Sequence, residues 1–151
     1  QFGWKLITAA NIKDMFMDMA SRMTMSYSYK PVFILAFLNH MSDDGDALLE
    51  AVVEDFAGFY EDRIAQGLPA EKKKCIFTKD SYTEKDVERL ILSMPFKRFE
   101  DMCFMHHAKY LGTIQLDRSI VRKLTDADKN MLKQYCKRAL DKYFGTDTEK
   151  E

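Results

Sequence analysis

The sequence predicts a mainly helical α+β chain with one small β-hairpin. Three observations predict it. Helical apolar spacing or a helix-start signature recurs along most of the 151 residues. Two short apolar runs, at 102–105 and 113–116, flank a segment holding Gly112, as a hairpin would. The chain is 46% apolar and 31% charged, enough for one core in one domain, set at residues 1–145 with a frayed tail at 146–151.

Asn11 is placed to cap the first helix, with Ile12, Met15, Phe16 and Met19 at i, i+3, i+4, i+7 and Asp14 in the first turn. Tyr27-Ser28-Tyr29 interrupts that pattern. Lys30-Pro31 opens a second helix, since proline is tolerated at the first helical position. Residues 32–38 are apolar on every side, which predicts a central helix with Val32, Ile34, Leu35 and Leu38 almost inaccessible.

Ser42-Asp43-Asp44-Gly45-Asp46 reads as a turn whose last residue caps a third helix. Leu48, Leu49, Val52, Val53, Phe56, Phe59 and Tyr60 form its inner face, and Gly67 and Pro69 stop it. Cys75-Ile76-Phe77 is short and apolar, as a strand would be. Thr83-Glu84-Lys85-Asp86 starts a fourth helix with the stripe Val87, Leu90, Ile91, Met94, and Pro95 ends it. After the hairpin, Thr125-Asp126-Ala127-Asp128 starts a last helix that runs to Gly145.

Three helices followed by a hairpin is the layout of a winged helix-turn-helix, with the hairpin as wing. Here 16 residues, 67–82, separate the presumed second and third helices, where a turn of about 3–4 residues is usual. The expected fold is therefore a winged helix-turn-helix-like core with an insertion between its second and third helices. An N-terminal and a C-terminal helix flank it.

Composition limits function as much as fold. The 23 basic and 24 acidic side chains nearly cancel, which excludes a highly charged disordered chain and gives no global sign of nucleic-acid binding. The charges are unevenly spread: residues 41–62 hold 8 acids and no base, whereas 63–123 hold 13 bases and 8 acids. Screening over about 8 Å makes such local patches matter more than the net value. Three separated cysteines without a CxxC suggest free thiols in a reducing, cytoplasmic setting. The apolar run 31–38 is far below the ~20 residues that span a bilayer, so no membrane partner is expected. The start Gln-Phe-Gly-Trp lacks a basic region and an initiator Met, as expected of an excised piece of a longer protein or of a processed one.

No constellation for chemistry is legible. The phosphate-loop, dinucleotide, nucleophile-elbow and HExxH patterns are absent. His106 and His107 are adjacent, so on a strand they point to opposite faces and make a poor metal pair. No catalytic residue, metal or cofactor is expected.

The densest signal is Pro95-Phe96-Lys97-Arg98-Phe99-Glu100-Asp101-Met102 at a chain bend. Lys97 and Arg98 could grip a phosphate backbone; equally, the two phenylalanines could anchor the bend while Arg98 pairs with Glu100 or Asp101. Lys85 and Arg89 on the fourth helix, Lys109 in the wing and Lys72-Lys73-Lys74 in the insertion complete the candidate nucleic-acid-binding set. Glu84, Asp86 and Glu88 make the fourth helix a poor electrostatic match to DNA.

Met25-Ser26-Tyr27-Ser28-Tyr29-Lys30-Pro31-Val32, Asp43-Asp44-Gly45, Phe59-Tyr60-Glu61-Asp62-Arg63 with Gly67-Leu68, Tyr82-Thr83 and the stretch from Pro95 to Met102 form a series. This series resembles the C-terminal region of bacterial DEAD/DEAH-box helicases associated with phage and restriction systems. It covers residues 23–124, about two-thirds of the chain. The resemblance implies an accessory domain beside helicase motor domains, not the motor, because no Walker A or DEAD/DEAH box is present. Two functions are expected from the residues: a DNA- or RNA-binding accessory domain, or a protein–protein scaffold in which the acidic helix of residues 46–62 and the apolar residues around Trp4 dock another domain.

Overall fold

The computed structural model describes residues 6–149, with side chains described to Gly145. Its elements are α1 (Ile12–Ser21), α2 (Tyr29–His40), β1 (Asp46–Leu48), α3 (Leu49–Ala65), α4 (Glu84–Ser93), α5 (Pro95–Asp101), β2 (Met105–Ala108), β3 (Thr113–Leu116), α6 (Arg118–Val121) and α7 (Asp126–Glu149). The chain is mainly helical with a small antiparallel sheet, as the sequence predicts.

α2 packs against α3, α5, α7 and β1, which is where an all-apolar helix belongs. Phe33 sits at the centre of its buried face, stacked on Phe99 at 5.8 Å and met edge-on by Phe96. Leu35 and Leu38 are only half-buried, contrary to expectation. They lie on the side of α2 that its neighbours leave partly open, so an apolar side chain there does not require a covering element.

The sheet has the order β1-β3-β2. Ala47 lies opposite Ile114 on one side of β3, and His107 lies opposite Ile114 on the other. The strand β1 corrects the expected helix start at Asp46. Three residues are too few to show a period, and their strand character comes from pairing with β3. The turn before it closes with Gly45 N–H donating to Ser42 O at 2.9 Å, while Gly45 O accepts from Leu116 N at 2.9 Å.

Other expectations need correction. Cys75-Ile76-Phe77 is no strand: Ile76–Thr78 forms one 3₁₀ turn that inserts Phe77 against Tyr60. Pro95 ends α4 as expected, with Met94 outside the helical region, but it also occupies the first position of α5. The segment 95–101 is therefore a helix, because a missing N–H costs nothing at that position. The first hairpin strand is 105–108 rather than 102–105: α5 runs to Asp101, and Cys103 at φ +65° turns the chain before β2. α6 was not expected; Asp117 caps it through Ser119 N at 3.0 Å. Asn11 sits at the N-cap of α1 but makes no cap bond, its side chain instead accepting from Thr8 N at 2.8 Å.

Two helix starts follow their signatures. Thr83 and Asp86 form a reciprocal capping box on α4. Thr125 and Asp128 exchange the same pair of bonds, each 3.0 Å, at the start of α7. α7 continues past Gly145 to Glu149, and Lys150, Glu151 and Trp4 lie outside the described residues.

Candidate nucleic-acid interface

The link between α3 and α4 is tied down at one residue. Glu71 is buried, and its Oε2 accepts from Ser28 N at 2.8 Å and Ser28 Oγ at 2.6 Å. Its Oε1 accepts from Lys72 N at 2.7 Å and from the Tyr143 hydroxyl. Ser28 Oγ also shares a 2.7 Å hydrogen bond with Tyr60. Burial, then the bond to Glu71, pushes the Tyr143 hydroxyl well above the usual tyrosine range, so it stays a donor. This network brings residues 71–74, the start of α2 and the side of α7 together.

Cations and tyrosines line the resulting surface. Tyr27 stacks on Tyr29 with centroids 4.9 Å apart and planes 8° from parallel. Tyr29 in turn is buried against Phe56 and Tyr60, so the outer ring rests on a fixed base. Lys73 Nζ lies 5.0 Å over the Tyr27 ring, and Lys72 Nζ lies 4.7 Å over that of Tyr143. Such exposed contacts contribute about 0.5–1 kcal/mol each, so a stronger ligand can displace them.

Tyr27 also borders a hollow of about 260 Å³ between the start of α2 and α5. Lys30 and Arg98 both line it. Lys30 donates to Thr24 O at 2.8 Å. Among the described residues neither cation has a carboxylate partner. Partial burial, followed by the Arg98 charge, lowers the Lys30 ammonium below the ordinary lysine value. Two positive charges thus face one space whose lining holds no acid, while both also line a neighbouring hollow with Asp14 and Asp18.

The eight candidate residues do not form one set. Lys72, Lys73 and Arg98 share the face just described, and Lys74 follows them in an exposed position. Lys97 is next to Arg98 but is bound to Asp101 at 3.0 Å and Glu100 at 3.9 Å. The hydrogen bond to Asp101 holds its ammonium above the ordinary lysine value. Lys97, not Arg98, therefore takes the acidic partners that α5 offers. On α4, Lys85 is 3.8 Å from Glu88 and Arg89 is 3.2 Å from Asp86. Lys109 lines a separate hollow with Glu50, Glu54 and Glu88.

Lys30, Tyr27 and Glu71 were not among the candidates. The pair of tyrosines next to a base in Tyr27-Ser28-Tyr29-Lys30 is the signal that could have found the first two. Glu71 carries no such signal, because a lone acid before three lysines looks solvated until the fold buries it.

Among the described residues, no group of three or more His, Cys, Asp or Glu side chains is placed to hold a metal ion. His106 pairs with Asp117 at 2.7 Å, whereas His107 sits edge-on to Phe96. No helix among the described residues is long and apolar enough to cross a membrane. No family model matches the chain, and no curated protein or solved structure matches it.

Proposed function

We propose that this chain is a nucleic-acid-binding accessory domain of winged-helix type, with no chemistry of its own, inside a larger cytoplasmic helicase-type protein. Its partners would be DNA or RNA and the motor domains of that protein. The helicase setting rests on the residue series from Met25 to Met102, which resembles phage- and restriction-associated bacterial helicases.

The winged-helix reading is supported by chain order. β1 lies between α2 and α3 and pairs with the last strand of the hairpin β2–β3. A winged helix joins its three helices to its wing in that way.

The observation that carries the binding reading is the face formed by Lys30, Lys72, Lys73 and Arg98 around Tyr27 and Tyr143. Among the described residues none of these four cations has a carboxylate partner, so each is available to a phosphate. The usual reading elements of a winged helix are less suitable here, since α4 neutralises its own bases and Lys109 stands among glutamates. Contact therefore falls on α2, α5 and residues 72–74.

A labelled oligonucleotide of about 12 nucleotides, titrated between about 20 and 300 mM salt, tests this. Binding in the 10⁻⁴–10⁻⁶ M range at physiological salt, roughly that of non-specific binders, is expected. Lys72→Gln with Lys73→Gln should flatten the salt slope by about two units. No binding at low salt contradicts the reading.

A scaffold role is favoured by one other observation. Leu48, Tyr110 and Leu111 are exposed, and Leu48 shares the hollow of Glu50, Glu54 and Glu88. That surface suits a basic protein segment and repels phosphate. Failure of oligonucleotide binding would shift the reading there.

A further inference from the structure

We propose that the hollow between α2 and α5 holds one unpaired nucleotide of a single strand, its phosphate between Lys30 and Arg98 and its base against Tyr27. The proposal rests on the nucleic-acid reading and narrows it to single strands.

Three features argue for this ligand. The first is unused donor capacity. The Arg98 guanidinium makes no hydrogen bond among the described residues, leaving its fork free for an anion. Lys30 uses one ammonium proton on Thr24 O and keeps two. A phosphate between them removes a like-charge repulsion that the free protein retains.

The second is the platform. Tyr27 is held parallel to buried Tyr29, so it meets a base without first having to be ordered. Lys73 lies over that ring. A stacked base is the stronger ligand for this half-buried tyrosine, and the displaced ammonium then lies beside the strand's phosphates.

The third is size. About 260 Å³, edged by Ser26, Ser93, Met94 and Pro95, is room on the scale of one unstacked nucleotide. An aromatic platform also needs a base free of its partner, which a paired strand does not offer.

The full chain is titrated with oligo(dT), oligo(U), a duplex of the same length and an abasic strand with the same phosphates. Either single strand should bind at least about tenfold more tightly than the duplex, and the tighter one identifies the sugar preferred. Arg98→Gln should weaken single-strand binding about fivefold and flatten the salt slope by about one unit. Arg98 is exposed and unpartnered, so this variant should unfold with the wild-type midpoint. Tyr27→Ala should weaken oligo(dT) about five- to tenfold and leave the abasic strand unchanged, while Tyr27→Phe retains binding. Equal affinity for duplex and single strand, or Tyr27→Ala weakening abasic and dT strands alike, overturns the single-strand site while leaving nucleic-acid binding standing. No binding to any of the four overturns both.

Discussion

Ser28 Oγ donates a 2.6 Å hydrogen bond to Glu71 Oε2 across 43 positions of sequence. Ser28 is the residue before α2, and Glu71 is followed by the three lysines at 72–74. One buried carboxylate thus holds the basic segment against the helix start that carries Tyr27 and Lys30. Glu71→Ala leaves Ser28 N–H without its acceptor in a buried site. It should cost about 2–4 kcal/mol in urea unfolding, since hydrogen bonds to charged groups count for more than neutral ones. Glu71→Gln keeps the shape and should cost less. A loss below about 1 kcal/mol for the alanine variant would mean that the link is held elsewhere.

Gly45 should resist substitution. It adopts φ +89°, and a Cβ there would overlap Cγ2 of Val121. Gly45→Ala should destabilise by about 1–3 kcal/mol from backbone strain and overlap together. Adding Val121→Ala removes the overlap but not the strain, so a double-mutant cycle should show a coupling that recovers part of the loss. Additive effects would place α6 away from the turn.

Thiol chemistry reports the same packing. Cys75 and Cys136 are buried and Cys103 is exposed. Burial pushes the Cys136 thiol up to about 12, so almost none of it is thiolate near neutral pH. A thiol-specific chromogenic reagent should label only Cys103 in the native chain and all three cysteines after denaturation. Native labelling of Cys136 would show that α7 opens.

The start of α7 carries an acid-sensitive contribution. The Thr125 N–H, then Lys13 at 3.0 Å, hold the Asp128 carboxyl below its ordinary value. Its folded value is the lower one, so its stabilisation is present above the unfolded carboxylate range and fades as pH falls through the folded value. The wild type should exceed Asp128→Asn in stability above about pH 5, and the difference should shrink below about pH 4. A difference that is constant from pH 7 to about pH 2 would remove the cap from the account.

The parts of this fold that were legible in sequence are those with local signatures. Thr83 with Asp86 and Thr125 with Asp128 marked two helix starts, and the all-apolar run after Pro31 marked the central helix. β1 was illegible because its three residues become a strand only beside β3. The helix α5 was hidden by Pro95, which stops one helix and starts the next at the same residue. Charge was the poorest guide to the site. Lys97 and Arg98 are adjacent in sequence, yet the helical i+4 spacing to Asp101 ties up only the first. Lys30 looked like part of a helix start and gained its importance from Arg98, 68 positions away.

Lysine footprinting tests the central claim most directly. The chain is acetylated with and without a saturating oligonucleotide, and protection is read at each lysine by mass spectrometry. The account predicts protection at Lys30, Lys72 and Lys73, with Lys85 and Lys109 reacting as in the free chain. Protection at Lys85 and Lys109 instead, or at no lysine despite saturation, would contradict it.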